Sequence, residues 1–274
     1  MPPAAPAVEV QGHRGYGDLE PHNSLRAFRA AAADAAVASV EFDVRRSSDG
    51  HLVVTHGPEV GPAIDKATLE ELRKVDLGHG ERIPLLADVI DACLEGGLIM
   101  NVELKGGESM ENVADTVRML KEKKAIPSTR ISSFDREMLK RVMELAPEIP
   151  LGALYHPTKH FVDPEDRSKG VVYCDAPEDF AAWFEEHRVE GDSVNVRAEA
   201  VLRSPELVRE ARRRGKGVMV WFPCLTNAGY EDSEDVYRRV VDAGADVVCC
   251  NRPDLLRRAL ERSGDSEAKR ARTA

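Results

Sequence analysis

The chain has 274 residues, a formal net charge of −10 at pH 7, and 42% hydrophobic and 31% charged residues. This length suits a single α/β barrel of roughly 250 residues better than two separate domains. The negative charge argues against nucleic acid as a partner. The apolar runs are too short for a transmembrane segment, and the first ten residues lack the pattern of a secretory signal peptide.

Eight strand-like runs follow one another along the chain, mostly separated by helical patterns. Several are almost continuously apolar, which is typical of a parallel sheet covered on both faces. Alternating strands and helices indicate βαβ units, and right-handed crossovers would close eight of them into a (β/α)8 TIM barrel. The predicted strands are residues 8–12, 38–44, 98–104, 130–134, 150–155, 193–197, 217–222 and 245–250.

Capping residues support the helices between these strands. Ser24 and Asp135 each precede an apolar stripe of helical spacing, and Ser204-Pro205 is expected to open a further helix that Gly215 closes.

One short insertion is expected after the second strand. Asp49-Gly50 predicts a turn, residues 51–56 a short added strand, and 57–83 a connection with one helical turn near 69–72. The insertion is too short to form a domain of its own. Residues 263–274 are polar and end in a basic run, so we expect a disordered tail after a barrel domain of residues 1–262.

The five cysteines form no recognisable framework. Their number is odd and no CxxC spacing occurs, so neither a set of disulfides nor a zinc site is indicated. A reducing compartment fits this pattern best, and a cytoplasmic protein is therefore predicted.

Acids and histidines cluster where the first three strands end. Side chains two residues apart in a strand share a face, so Glu41 projects with Asp43, and Glu103 with Lys105. Three acids on one side could hold a divalent cation through oxygen ligands. Two nearby histidines, His13 and His56, could take and give protons. This combination indicates cleavage of a phosphate ester.

Each of these residues also has a structural interpretation. The acids could lie on a solvated face, although buried acids without a cation would repel one another. His13 could be a core histidine, His56 an ordinary polar loop residue, and Lys105 a solvated lysine. Trp221 is either a core aromatic residue or a wall of the barrel mouth that touches the apolar part of a substrate.

Nearly the whole chain, in order, resembles the glycerophosphodiester phosphodiesterases. The motifs that carry the resemblance are Gly12-His13-Arg14-Gly15, Pro21-His22-Asn23-Ser24, Glu41-Phe42-Asp43, Val53-Val54-Thr55-His56, Ile83-Pro84-Leu85, Glu103-Leu104-Lys105, Ser132-Ser133-Phe134-Asp135, Val220-Trp221-Phe222 and Asn251-Arg252-Pro253-Asp254.

The resemblance implies a TIM barrel with one divalent cation, magnesium or calcium. It implies a small phosphodiester substrate, which is cut into an alcohol and glycerol 3-phosphate. The implied roles are metal ligation by Glu41, Asp43 and Glu103, general acid–base catalysis by His13 and His56, and phosphate contacts by Arg14 and Lys105.

Two positions depart from the family pattern. His22 stands where the family usually has a glutamate, and Gly57 where an aspartate usually follows the histidine. His56-Gly57 resembles the related sphingomyelinase D toxins, so a phospholipase D-like enzyme acting on lysophospholipid or sphingomyelin is an alternative. A barrel that binds a phosphorylated ligand without turnover is another. A sugar-phosphate or aldol-type barrel enzyme is a third alternative, but this chain has no Schiff-base lysine at the sixth strand, where Asn195 and Arg197 occur instead.

Overall fold

Eight parallel strands form a closed barrel in the computed structural model, which describes residues 8–57, 62–105, 109–155, 191–223 and 232–262. Their order around the barrel follows the chain, and the first strand pairs with both the second and the last. The predicted (β/α)8 barrel is confirmed, with strand boundaries within two residues of those expected. The barrel strands are β1 (Glu9–Gly12), β2 (Ser39–Arg46), β6 (Ile99–Leu104), β7 (Thr129–Ser133), β8 (Leu151–Tyr155), β9 (Ser193–Arg197), β10 (Gly217–Trp221) and β11 (Val247–Cys250).

Helices surround the barrel. Ser24 Oγ accepts a hydrogen bond from Ala27 N, and Asp135 accepts from Glu137 N and Met138 N, as their capping roles predict. The described helices are α1 (Leu25–Ala33), α2 (Leu69–Leu72), α3 (Leu86–Glu95), α4 (Met110–Glu122), α5 (Arg136–Leu145), α6 (Ala198–Arg203), α7 (Glu206–Arg213), α8 (Glu234–Asp242) and α9 (253–262). None of them is both long enough and apolar enough to cross a membrane.

The two faces of β2 have different neighbours. Phe42 is fully buried on the outer face, where its ring meets Phe28 of α1 edge to face at 5.5 Å between centroids. Glu41 and Asp43 alternate with it and line the cavity at the barrel mouth. The packing of β2 under α1 therefore directs both acids to the interior of the barrel.

The insertion after β2 contains the predicted extra strand. β3 (Leu52–Val54) pairs antiparallel with the end of β2, and this pairing extends β2 to Arg46, beyond the expected end at residue 44. A small hairpin of β4 (Asp76–Gly78) and β5 (Glu81–Arg82) was not predicted. Residues 58–61 of the insertion and the predicted tail 263–274 lie outside the described residues.

Candidate active site

A tight turn after β1 places the first candidate residues. Arg14 has a φ of 51°, and its backbone N–H donates to Glu41 Oε2 at 3.0 Å. Gly15 N–H donates to Glu41 O at 3.1 Å. A Cβ at Gly12 would lie 2.0 Å from Gly15 O, so only glycine fits there. These hydrogen bonds hold the turn, and with it His13 and Arg14, beside the acids of β2.

Three carboxylates converge at the barrel mouth. Glu41, Asp43 and Glu103 are buried, and each offers an oxygen atom within 4.8 Å of the oxygens of the other two. Asp43 and Glu103 are register partners on the neighbouring strands β2 and β6. The three acids that the sequence analysis placed on one side of the sheet therefore do lie close together in the structure.

Two cations neutralise part of this charge. Lys105 Nζ lies 2.7 Å from both Asp43 Oδ1 and Glu103 Oε1, and Arg14 Nε lies 3.6 Å from Asp43 Oδ2. Asn23 Nδ2 also donates to Asp43 Oδ2 at 2.9 Å. Asp43 is therefore the most fully compensated of the three acids.

The three acids differ in pKa for this reason. Burial raises the pKa of Glu41 well above its ordinary value, and the nearby charges of Asp43 and Glu103 raise it further. Burial also raises the pKa of Glu103. The pKa of Asp43 is lowered despite its burial, because Lys105 and Arg14 favour its charged form.

The acid cluster fits a divalent cation. Glu41 Oε1 is buried and has no hydrogen-bond partner among the described residues, and the three acids supply the hard oxygen ligands that magnesium and calcium prefer. With all three acids ionised, as cation binding requires, their charges against those of Lys105 and Arg14 leave one net negative charge. A divalent cation would make this net charge positive, and so complementary to a phosphodiester anion.

His13 is held by the side-chain amide of Asn251, the residue that follows the last barrel strand. Its Nδ1 lies 2.7 Å from Asn251 Oδ1, while Asn251 Nδ2 donates to Asp232 Oδ2 and to Pro223 O, each at 2.9 Å. Both partners of Nδ2 are acceptors, so Oδ1 must face the ring and His13 Nδ1 must carry the proton. His13 Nε2 lies 3.7 Å from Glu41 Oε2.

Burial also keeps His13 uncharged. Burial, and secondarily the positive charge of Arg14, lower the pKa of His13 to about 3. The imidazole is therefore neutral at pH 7, with its lone pair on Nε2 available to accept a proton.

Replacing Asn251 by leucine is expected to lower kcat by about 100-fold, because the imidazole loses the contact that orients it. Nitrogen NMR of the His13 ring should show loss of the Nδ1–H tautomer, and KM should change little. Asn112 is equally buried in α4, so Asn112→Ala serves as the control for losing a buried amide. An Asn251→Leu variant with wild-type kcat would contradict this role for Asn251.

His56 lies between two cavities. Its backbone O accepts a hydrogen bond from Arg45 Nη1 at 3.2 Å. His56 and Arg14 line both the cavity at the barrel mouth, here called the main cavity, and a neighbouring cavity of about 230 Å³. His22 also lines the second cavity, and its Nε2 lies 3.1 Å from Asp18 Oδ1. The departure at residue 22 thus lies beside the predicted site and not within the acid cluster.

Every predicted site residue lines the main cavity, which has a volume of about 280 Å³. One wall is apolar, and its Trp221 ring meets Phe134 edge to face at 6.1 Å, with the Arg197 guanidinium 5.3 Å from the ring centroid. The cavity is lined by His13, Arg14, Glu41, Asp43, His56, Asn101, Glu103, Lys105, Ser132, Phe134, Leu154, Met219, Trp221, Pro223 and Cys249.

The sequence predictions missed the residues that position the site. Asn23, Asn251 and Asp232 received no role, although the first two stand in motifs that carry the family resemblance. Asn251 follows β11 by one residue, as His13 follows β1, and these strands are neighbours. In a closed barrel, two residues that directly follow neighbouring strands lie side by side. This rule could have predicted the contact between Asn251 and His13.

Comparison with known proteins places the chain in a family. Residues 13–255 match the family described as "Glycerophosphoryl diester phosphodiesterase family". A glycerophosphodiester phosphodiesterase of Caldanaerobacter subterraneus subsp. tengcongensis is 27% identical over an alignment of 270 positions, which covers 93% of this chain and 98% of that protein.

Solved structures share the barrel. A glycerophosphodiester phosphodiesterase from Thermotoga maritima is 26% identical with a TM-score of 0.64, covering 92% of this chain and 98% of its own. An Oleispira antarctica phosphodiesterase in complex with the product sn-glycerol-3-phosphate has a TM-score of 0.74 at 23% identity, covering 92% and 96%. Since the family match spans most of its length, the chain belongs to the glycerophosphoryl diester phosphodiesterase family and is a phosphodiesterase.

Proposed function

We propose that this phosphodiesterase hydrolyses glycerophosphodiesters to an alcohol and glycerol 3-phosphate at the main cavity. The observation that carries the proposal is the meeting of Glu41, Asp43 and Glu103 within 4.8 Å, beside His13 and His56 in one cavity. The product named for the Oleispira antarctica structure, sn-glycerol-3-phosphate, agrees with this reaction.

In this proposal, Glu41, Asp43 and Glu103 would hold one divalent cation, magnesium or calcium. When bound there, it would offset the negative charge that develops on the phosphoryl oxygens. Arg14 and Lys105 line the same cavity and would add positive charge toward the phosphate.

The two histidines would divide the proton transfers. His13, with its proton on Nδ1, accepts at Nε2 the proton of the hydroxyl or water that attacks phosphorus. His56 donates a proton to the alcohol oxygen as its bond to phosphorus breaks. The negative diester would raise the pKa of the buried His13 ring toward the range that a general base needs.

A second candidate is a phospholipase D-like activity on lysophospholipid. The apolar wall of the cavity, with Phe134, Leu154, Met219 and Trp221, favours it because this wall could pack against a lipid chain. Either activity would place the protein in lipid metabolism. A cytoplasmic location is part of the proposal, since Cys93, Cys249 and Cys250 are buried free thiols.

A metal-by-substrate activity screen tests these proposals. The purified protein is treated with EDTA, reloaded with magnesium or calcium, and assayed for choline release from glycerophosphocholine and from lysophosphatidylcholine. Faster release from glycerophosphocholine supports the first function, and faster release from lysophosphatidylcholine the second. Activity that survives EDTA and the Glu41→Ala substitution would contradict the metal assignment, and phosphate binding without any product would indicate a binding protein.

A further inference from the structure

Two adjacent serines at the end of β7 have opposite environments. Ser133 Oγ donates to Leu104 O at 2.7 Å and accepts from Asp135 N at 3.0 Å. Ser132 is also buried, but its Oγ has no hydrogen-bond partner among the described residues. A buried hydroxyl without a partner costs free energy of folding, so such a group in a native protein calls for a functional explanation.

Ser132 lies at the wall of the active-site cavity. It is the register partner of Glu103 on one side and of Gly152 on the other, and side chains in register on parallel strands point to the same side. Gly152 contributes no side chain, and a Cβ there would lie 2.2 Å from Asn195 Nδ2. Ser132 is therefore flanked by a proposed metal ligand and by a glycine whose side-chain space is filled by the Asn195 amide, and it lines the main cavity.

The two cations of this cavity, Lys105 and Arg14, both lie against its acids. Lys105 Nζ contacts both Asp43 and Glu103, and Arg14 lies beside Asp43 and donates its backbone N–H to Glu41. Ser132 Oγ–H is a neutral donor at the same level of the barrel as Glu103. Phosphoryl oxygens only accept hydrogen bonds, so a hydroxyl donor next to the acids complements a phosphate bound there.

We propose that Ser132 is a substrate-binding residue whose hydroxyl donates a hydrogen bond to a phosphoryl oxygen of the bound diester. This inference rests on the proposed function for the position of the phosphate. This role explains why a serine stands at this buried position. Its hydroxyl does not stabilise the fold, and it gains a hydrogen-bond acceptor when substrate fills the cavity.

The test compares Ser132→Ala with Ser133→Ala, a matched pair of single-hydroxyl deletions. Ser132→Ala is expected to lower kcat/KM for glycerophosphocholine by about 10- to 100-fold, the range for one hydrogen bond to a charged acceptor. Its thermal unfolding midpoint should stay equal to that of the wild type or rise. Ser133→Ala should keep kcat/KM within about twofold but lower the midpoint by at least about 2 °C, because two backbone groups lose their partner.

A binding measurement separates this inference from the proposed function. The dissociation constant of inorganic phosphate, measured by calorimetry on the wild type and both variants, requires no turnover. Ser132→Ala should weaken phosphate binding by about the same factor as it lowers kcat/KM, whereas Ser133→Ala should leave it unchanged. A wild type that binds phosphate but cleaves no diester would refute the proposed function alone.

Four outcomes would overturn the role of Ser132. Two concern Ser132→Ala itself: an unchanged kcat/KM, or a fall in its unfolding midpoint as large as that of Ser133→Ala. The other two concern inorganic phosphate: an unaltered dissociation constant in Ser132→Ala, or no binding by the wild type.

Discussion

Replacing His13 by alanine is expected to lower kcat by about 10²- to 10⁴-fold, the usual contribution of a general acid or base. The ring lies beside the acid cluster, and because Asn251 holds its Nδ1, the proton-free Nε2 is the nitrogen that lies 3.7 Å from Glu41 Oε2. The loss should appear in steady-state kinetics with glycerophosphocholine at saturating cation, with unfolding still cooperative. His51→Ala is the control, because His51 is exposed and lies 3.9 Å from Asp49 outside the cavity.

His56→Ala should cause a loss of similar size, and the leaving group distinguishes the two histidines. If His56 protonates the departing alcohol, a diester with a p-nitrophenolate leaving group should restore most of the activity of His56→Ala, since that group leaves without a proton. The same substrate should not rescue His13→Ala. Rescue of His13→Ala instead would reverse the assignment of acid and base.

The acid trio was predictable because it depends on short-range geometry. Glu41 and Asp43 share a face by the period of a strand, and Glu103 lies near the end of the next barrel strand, β6, which is β2's neighbour by chain order. Neither inference requires side-chain coordinates. The residues around the trio depend on longer-range geometry, since Asn251 meets His13 across 238 positions and only through barrel closure.

The secondary structure that was missed lacks the patterns that sequence analysis uses. The β4–β5 hairpin is largely exposed and too short for an alternating pattern, and its strands are joined at Gly78 and Gly80, both with positive φ. Helix α6 follows β9 directly, and its N-cap Arg197 provides no side-chain hydrogen bond. A strand and a helix without a turn or cap between them read as one segment in the sequence.

The charge pattern of the site predicts opposite stability effects for two of its acids. In cation-free protein, Asp43→Asn is expected to reduce the free energy of unfolding by about 3 kcal/mol, because Lys105 and Arg14 lose their shared buried partner. Glu41→Gln should leave that free energy unchanged or raise it. Burial disfavours the Glu41 carboxylate, and glutamine keeps an oxygen that can accept from Arg14 N–H.

The pH dependence of stability has opposite signs for these two acids. The folded-state pKa of Glu41 lies above its ordinary value of 4.5, so the folded protein holds a proton that the unfolded chain has released. Without cation, this contribution to stability is lost as pH rises from about 4.5 through the raised pKa. The pKa of Asp43 is lowered from 3.8, so its contribution is present above that value and is lost as pH falls below it.

A divalent cation should make the wild type more stable than Glu41→Gln, which reverses their order in cation-free protein. Cation at about 100 times its dissociation constant should stabilise the wild type by about 2.7 kcal/mol, and binding should release the proton from Glu41, so affinity should rise with pH. Glu41→Gln should gain little at the same concentration and show no proton release. The measurement is denaturant unfolding at pH 5 and pH 7.5, with EDTA or with cation, for the wild type and both variants. A cation that binds through the Glu41 carboxylate must displace its proton, and glutamine offers neither that charge nor that proton. Equal stabilisation of the wild type and Glu41→Gln by the cation would therefore mean that Glu41 is not a ligand.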